Sequence, residues 1–121
     1  MIKGIKLVGV PVTDQDRAIE FYSTKLGFRV VTDQPFDDKQ RWIELGIGRS
    51  ATRIALFTPH GHEDRIGGFS SISFVADDVE GTCRELKAAG VHFIQEPQKA
   101  DWGTAAIIAD PDGNQFVVGS G

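Results

Sequence analysis

Several side chains in this 121-residue sequence could do chemistry. His60-Gly61-His62-Glu63-Asp64 sets two imidazoles beside two carboxylates. Those donors suit a divalent ion, or a polar lid, since binding groups favour loops on a rigid scaffold. The plain alternative is a solvated loop. Arg53 offers a planar fork of donors to an anionic or carbonyl-bearing ligand, unless Glu44 on the neighbouring strand holds it in a structural ion pair. Trp42 and Trp102 would stack on a flat or cationic ligand, or fill a core or a dimer interface. Cys83, the single cysteine, recurs with Val79 and Leu86 at helical spacing and reads as a packing residue. His92 reads as a partly exposed strand residue. The sequence has no nucleophile-elbow pattern and no glycine-rich phosphate loop.

The elements that must position these groups come in two copies. Val10-Pro11-Val12-Thr13-Asp14 leads through a helical segment to Leu26-Gly27-Phe28, and Ser73-Phe74-Val75-Ala76-Asp77 leads through another to Ala89-Gly90-Val91. Each half is therefore strand, acidic cap, helix, glycine stop and further strands. Asp14, and Asp77 or Asp78, suit the caps. Ile19, Tyr22 and Leu26 form one helical stripe, as do Val79, Cys83 and Leu86. Gly27 and Gly90 suit the left-handed residue that closes a helix. Strand patterns follow at 28–32, 41–45 and 54–58, then at 91–95, 104–108 and 115–118. Asp110-Pro111-Asp112-Gly113-Asn114 marks a turn. These patterns give one α+β domain over residues 1–121, with module one at about 1–58, a connection at 59–69 and module two at about 70–121.

Alternation assigns the strand faces. Val8, Val10 and Val12 form an apolar row, as do Ile54 with Leu56, Ile72 with Phe74 and Ala76, and Phe116 with Val118. These rows should meet the helices. The mixed rows, carrying Arg53, Ser71, Ser73 and Gln115, should face the concave side of a curved mixed sheet. A few polar groups among apolar ones is how small-molecule pockets are lined. Trp42 and Glu44 share a face, with Ile43 and Leu45 on the other.

Composition bounds the partners. A net charge of -4 with scattered Lys and Arg argues against nucleic acid and against an anionic membrane surface. No apolar run is long enough to span a bilayer. The lone cysteine and the absence of an export pattern at the start of the sequence point to the cytoplasm.

Val12-Thr13-Asp14-Gln15-Asp16-Arg17-Ala18-Ile19-Glu20-Phe21-Tyr22 followed by Leu26-Gly27-Phe28, the Asp110–Asn114 turn, and Leu86-Lys87-Ala88-Ala89-Gly90-Val91 together resemble the vicinal-oxygen-chelate superfamily, the glyoxalase, bleomycin-resistance and extradiol-dioxygenase group. The likeness implies two tandem βαβββ modules, a concave cavity and a homodimer. It also implies four metal-ligand positions, which fall on Leu7, Ala55, Ser71 and Val117. None is a usual ligand for a divalent ion. The expectation is therefore a metal-independent, cofactor-free protein that binds a small organic ligand. The residues expected to contact it are Trp42, Glu44, Arg53, Phe57, Ser71, Ser73, Trp102 and Gln115. The alternatives are a lyase or dioxygenase with its metal relocated to His60 and His62, and metal-free catalysis with Glu44 or a histidine as base.

Overall fold

Each half of the chain begins with a strand that runs to a capping carboxylate. In the computed structural model, which describes residues 1–121, β1 (Leu7–Pro11) leads to Asp14. The Asp14 side chain accepts the Arg17 backbone N–H at 3.1 Å and starts α1 (Gln15–Glu20). In the second half β5 (Gly68–Val75) leads to Asp78, which accepts the Gly81 N–H at 3.0 Å and starts α2 (Val79–Ala88). Of the two aspartates weighed for that cap, the backbone selects Asp78. Gly27 (φ 77°) and Gly90 (φ 89°) close the helical segments in the left-handed region, where a Cβ is penalised.

The halves differ by one residue. Asp14 to Gly27 is one position longer than Asp78 to Gly90, and the first half absorbs the extra residue in a π turn at Phe21–Lys25. That turn advances the buried stripe. Tyr22 is fully buried as its spacing predicts, but Ala18 and Phe21 join it, while Ile19 and Leu26 are only half-buried.

The first unit, Met1–Ile66, also contains β2 (Arg29–Pro35), β3 (Arg41–Gly46) and β4 (Arg53–Phe57). The second, Gly67–Gly121, contains β6 (His92–Ala100), β7 (Gly103–Ala109) and β8 (Asn114–Gly119). Each unit holds its own four-stranded mixed sheet, ordered β1-β4-β3-β2 and β5-β8-β7-β6, with the outer pair β1–β4 or β5–β8 parallel. The class is α+β with two repeated βαβββ modules. The stretch read as a connection carries a short 3-10 turn at Glu63–Arg65 and the start of β5.

Alternation decides what each sheet buries. In the first unit Val10, Ile43, Leu45, Ile54 and Leu56 are essentially inaccessible, together with Tyr22. In the second, Val79, Cys83 and Ala106 cluster with the partly buried Ala76 and Phe93, and Phe74 stacks on Phe116 at 5.1 Å. One polar side chain ties the first helix down. Gln15, 8% exposed, donates from Nε2 to the carbonyls of Arg41 and Leu56 and accepts the Arg41 N–H, all at 2.9 Å. It thereby satisfies backbone groups of both β3 and β4. Gln15→Ala should leave them unpaired and cost roughly 2–4 kcal/mol. Urea denaturation at neutral pH checks this. A loss under 1 kcal/mol would show that water replaces the amide.

Candidate functional site

The sheet face of the first unit that points away from its apolar rows carries the densest polar chemistry. Register places Glu44 opposite Ala55, and Leu7, Gly9 and Pro11 opposite Arg53, Ala55 and Phe57. Glu44 is only 6% exposed, yet both carboxylate oxygens are engaged. The Trp42 indole N–H donates to Oε2 at 2.7 Å, and Arg53 Nη1 donates to Oε1 at 3.0 Å. The Trp42 bond first, then the Arg53 bond, hold the Glu44 carboxyl below its ordinary range against the opposing effect of burial. The charges of Arg53 and Lys6 add to the effect. The ion pair foreseen between Arg53 and Glu44 is thus formed, and it leaves the Arg53 side chain 40% exposed.

Two glycines let large groups cross this face. A Cβ at Gly46 would meet Arg29 Nη2 at 2.7 Å, so the guanidinium lies over that strand. Its Nη1 donates to the Gly48 carbonyl at 2.7 Å. A Cβ at Gly9 would meet the Phe57 ring at 2.9 Å, so that ring lies over β1. At the other end of β3, Trp42 (37% exposed) tilts against Phe36 with centroids 5.8 Å apart. Trp42, Glu44, Arg53 and Phe57 are therefore brought together as their alternation predicts. Arg29, Lys6 and Phe36 were not foreseen. A bulge between Val30 and Thr32 shifts the β2 register, which plain alternation does not report.

The four expected residues of the second unit are less gathered. Ser73 pairs with Val117 and Gln115 with Ala109, on the face opposite Phe116 and Val118. Ser71 leaves the alternation. It sits at φ 65° in a bulge between Phe69 and Ile72, where Ser70 donates from its hydroxyl to the Gln115 carbonyl at 2.6 Å. Trp102 lies in the turn between β6 and β7, 70% exposed. His92 is an exposed strand residue, as read.

The histidine loop lines a hollow of about 270 Å3 with Thr13, Lys39 and Thr58. His60 Nε2 lies 3.0 Å from Thr58 Oγ1, and the Glu63 carboxylate accepts the Gly61 N–H at 3.0 Å. No three His, Cys, Asp or Glu side chains converge as a metal ion would require. Cys83 is buried on α2, and burial pushes its thiol up. Charged side chains rim the hollow beside it in pairs, Lys87 with Glu96 and Lys99 with Glu80.

The positions that the resemblance assigns to metal ligands do not fit a divalent ion. Leu7, Ala55 and Val117 bring no donor atom, and Ser71 brings one hydroxyl on an exposed bulge. The carboxylate directly across from Ala55 is that of Glu44, and both its oxygens already accept protein donors.

Comparison with known proteins places this geometry in context. The family model described as "Glyoxalase/Bleomycin resistance protein/Dioxygenase superfamily" matches residues 4–118. The chain is 34% identical to the uncharacterized protein YetH of Bacillus subtilis, with 98% of each chain covered. It is 33% identical to the lactoylglutathione lyase of Haemophilus influenzae, with 84% of this chain and 81% of that one covered. A superfamily member from Sphaerobacter thermophilus superposes with a TM-score of 0.90 at 32% identity, covering 99% and 98% of the two chains. TnmS3, an antibiotic binding protein from Streptomyces sp. CB03234, does so with a TM-score of 0.84 at 30% identity, covering 98% and 96%.

The lowered Glu44 carboxyl makes a pH-dependent contribution to stability. A depressed folded value stabilises the fold above the unfolded carboxylate range, near pH 4.3, and that contribution is lost as pH falls through the lowered value. Glu44→Gln should therefore be less stable than the parent at pH 7, with the gap narrowing as pH drops below about 4. Denaturation midpoints of the two proteins from pH 7 to pH 3 check this. A pH-independent gap would mean that Glu44 does not titrate against its partners.

Proposed function

The chain belongs to the glyoxalase/bleomycin resistance protein/dioxygenase superfamily, and on that premise we propose that it binds a small organic ligand without a metal ion. One observation carries the reading. The buried carboxylate of the first unit's sheet has both oxygens committed to Trp42 and Arg53, beside family ligand positions that lack donors. A divalent ion would have to displace an indole N–H and a guanidinium to reach Glu44. An organic molecule would meet the exposed parts of Trp42, Arg53 and Phe57 as they stand. These residues, with Glu44 beneath them, are the proposed contacts. Ser71, Ser73, Trp102 and Gln115 are proposed as contacts of the second unit's own surface. TnmS3, described as an antibiotic binding protein, supports the class of ligand. The proposal keeps the homodimer and the cytoplasmic location, and light scattering in solution should give twice the mass of one chain.

A second reading has one observation in its favour. A relative at 33% identity is a lactoylglutathione lyase. For this chain that chemistry would require a relocated metal, with His60 and His62 as the available imidazoles. Metal analysis of protein purified without chelator separates the two. Stoichiometric Zn, Ni, Mn or Fe that disappears in the His60→Ala, His62→Ala double variant would favour the lyase.

The binding reading has its own measurement, a thermal-shift screen of aromatic metabolites and antibiotics in the presence of EDTA. A ligand at one hundred times its Kd adds about 2.7 kcal/mol of stability, and Trp42→Ala should reduce the resulting shift in Tm at least twofold. A broad screen with no shift counts against ligand binding.

A further inference from the structure

We infer that the first unit's sheet face takes a flat aromatic ligand bearing an oxyanion, a carboxylate or an ionised phenol or enol, with the oxyanion at Arg53 and Arg29. The inference rests on the binding reading above and names the chemistry of its ligand.

The charge balance of this face is opposite to that of the chain. The protein carries a net charge of -4. Beside Glu44, however, stand Arg53 and Lys6, and Arg29 lies over Gly46, two residues along β3. Arg53 donates one nitrogen to Glu44 and has its backbone N–H held by the Lys6 carbonyl at 3.0 Å. Lys6 is close enough to lower the Glu44 carboxyl by its charge. Arg29 is held over Gly46 by the Gly48 carbonyl, a neutral acceptor, and neither Arg29 nor Lys6 is paired with a carboxylate. The face thus carries one buried anion and three cations, two of them acting on that anion directly. Two of the cations are guanidiniums, each fixed by a single bond, with further N–H donors left over. A guanidinium fork matches a carboxylate, and its fixed position reduces the ordering cost of binding.

The same face sets aromatic surface beside the cations. Arg53 reaches Glu44, which lies opposite Ala55, and the Phe57 ring lies over Gly9, which pairs with the same Ala55. Ala55 between them is small and flush with the sheet. Phe57, Trp42 and Phe36 supply the aromatic surface. A flat ring system can lie on that surface with its oxyanion at the guanidiniums. Glu44 acts as a positioning residue, because it holds both the Trp42 indole and the Arg53 guanidinium.

The test uses the full chain and two probes of matched shape, 2-naphthoate and 2-naphthamide, titrated calorimetrically and by NMR on the Trp42 indole and Arg53 side-chain resonances. At low salt the carboxylate should bind about tenfold more tightly than the amide, because only it makes charge-assisted bonds. In 0.5 M NaCl the ratio should fall to roughly two to three. Arg53→Gln and Arg29→Gln should each lower it partway, the double variant should bring it close to one, and Arg53→Lys should keep a part of it. Trp42→Ala should weaken both probes by a similar factor. A cooperative urea transition and a parent-like far-UV spectrum would establish that the arginine variants remain folded, with Arg53→Gln shifted to a lower midpoint because Glu44 loses its partner. Equal binding of the two probes, a preference undiminished in the Arg53→Gln, Arg29→Gln double variant, or resonance shifts confined to other surfaces would overturn the inference and leave the binding reading standing. No binding of either probe, in a protein that also fails the ligand screen, would remove both.

Discussion

A carboxylate that is 6% exposed on a sheet face is the constraint around which the first unit's polar chemistry is arranged. Burying an ionised group costs several kcal/mol unless it is hydrogen-bonded and charge-compensated. Glu44 meets both conditions with one bond from Trp42 on its own strand and one from Arg53 on the next. Both partners are fixed by the same requirement. The indole must present its N–H edge to the carboxylate, and its ring lies tilted against Phe36. The guanidinium must keep one nitrogen on Glu44, which leaves the others directed elsewhere. Removing either donor leaves the buried carboxylate under-compensated, and removing Glu44 frees both donors, so the three side chains are coupled.

The neighbours of this unit are shaped by what it excludes. Gly46 has no side chain because Arg29 crosses there, and Gly9 has none because the Phe57 ring covers β1. Ala55, opposite Glu44, is small enough to keep the carboxylate beside it within reach of Arg53. On the reverse of the same strands Ile43, Leu45, Ile54 and Leu56 form a dry layer, and Gln15 joins the first helix to β3 and β4 through three hydrogen bonds. Strand alternation thus separates a face that stabilises from a face that presents chemistry.

That separation is also why much of the fold was legible in the sequence. Period-two rows placed Ile43 and Leu45 against Trp42 and Glu44, and acidic caps with glycine stops located both helices. Legibility fails wherever a residue is inserted into a regular element. The π turn at Phe21–Lys25 advances the stripe that Ile19, Tyr22 and Leu26 suggest. The bulge after Val30 hides Arg29 from an alternation argument, and the bulge before Ile72 turns Ser71 into an exposed left-handed residue. Such insertions cost little in sequence pattern but rotate every side chain after them. The same limit applies to Phe36, which reaches Trp42 from a loop that carries no period at all.

A fixed guanidinium and a divalent ion solve related problems by different means. Each places positive charge beside a ligand oxygen in a sheltered site. The ion accepts a lone pair and so acts as a Lewis acid, whereas the guanidinium offers directional hydrogen bonds and remains charged at every physiological pH. In the binding mode inferred above, a ligand oxygen at Arg53 would be oriented and neutralised, with its bonding electrons left largely in place. A chemical step there would also need a base. The one buried carboxylate of the face is poorly suited to that role. The same two donors that keep Glu44 ionised also lower its basicity and occupy its oxygens. Anchoring two donors and accepting a proton thus make opposite demands on Glu44, whose two oxygens are engaged by Trp42 and Arg53.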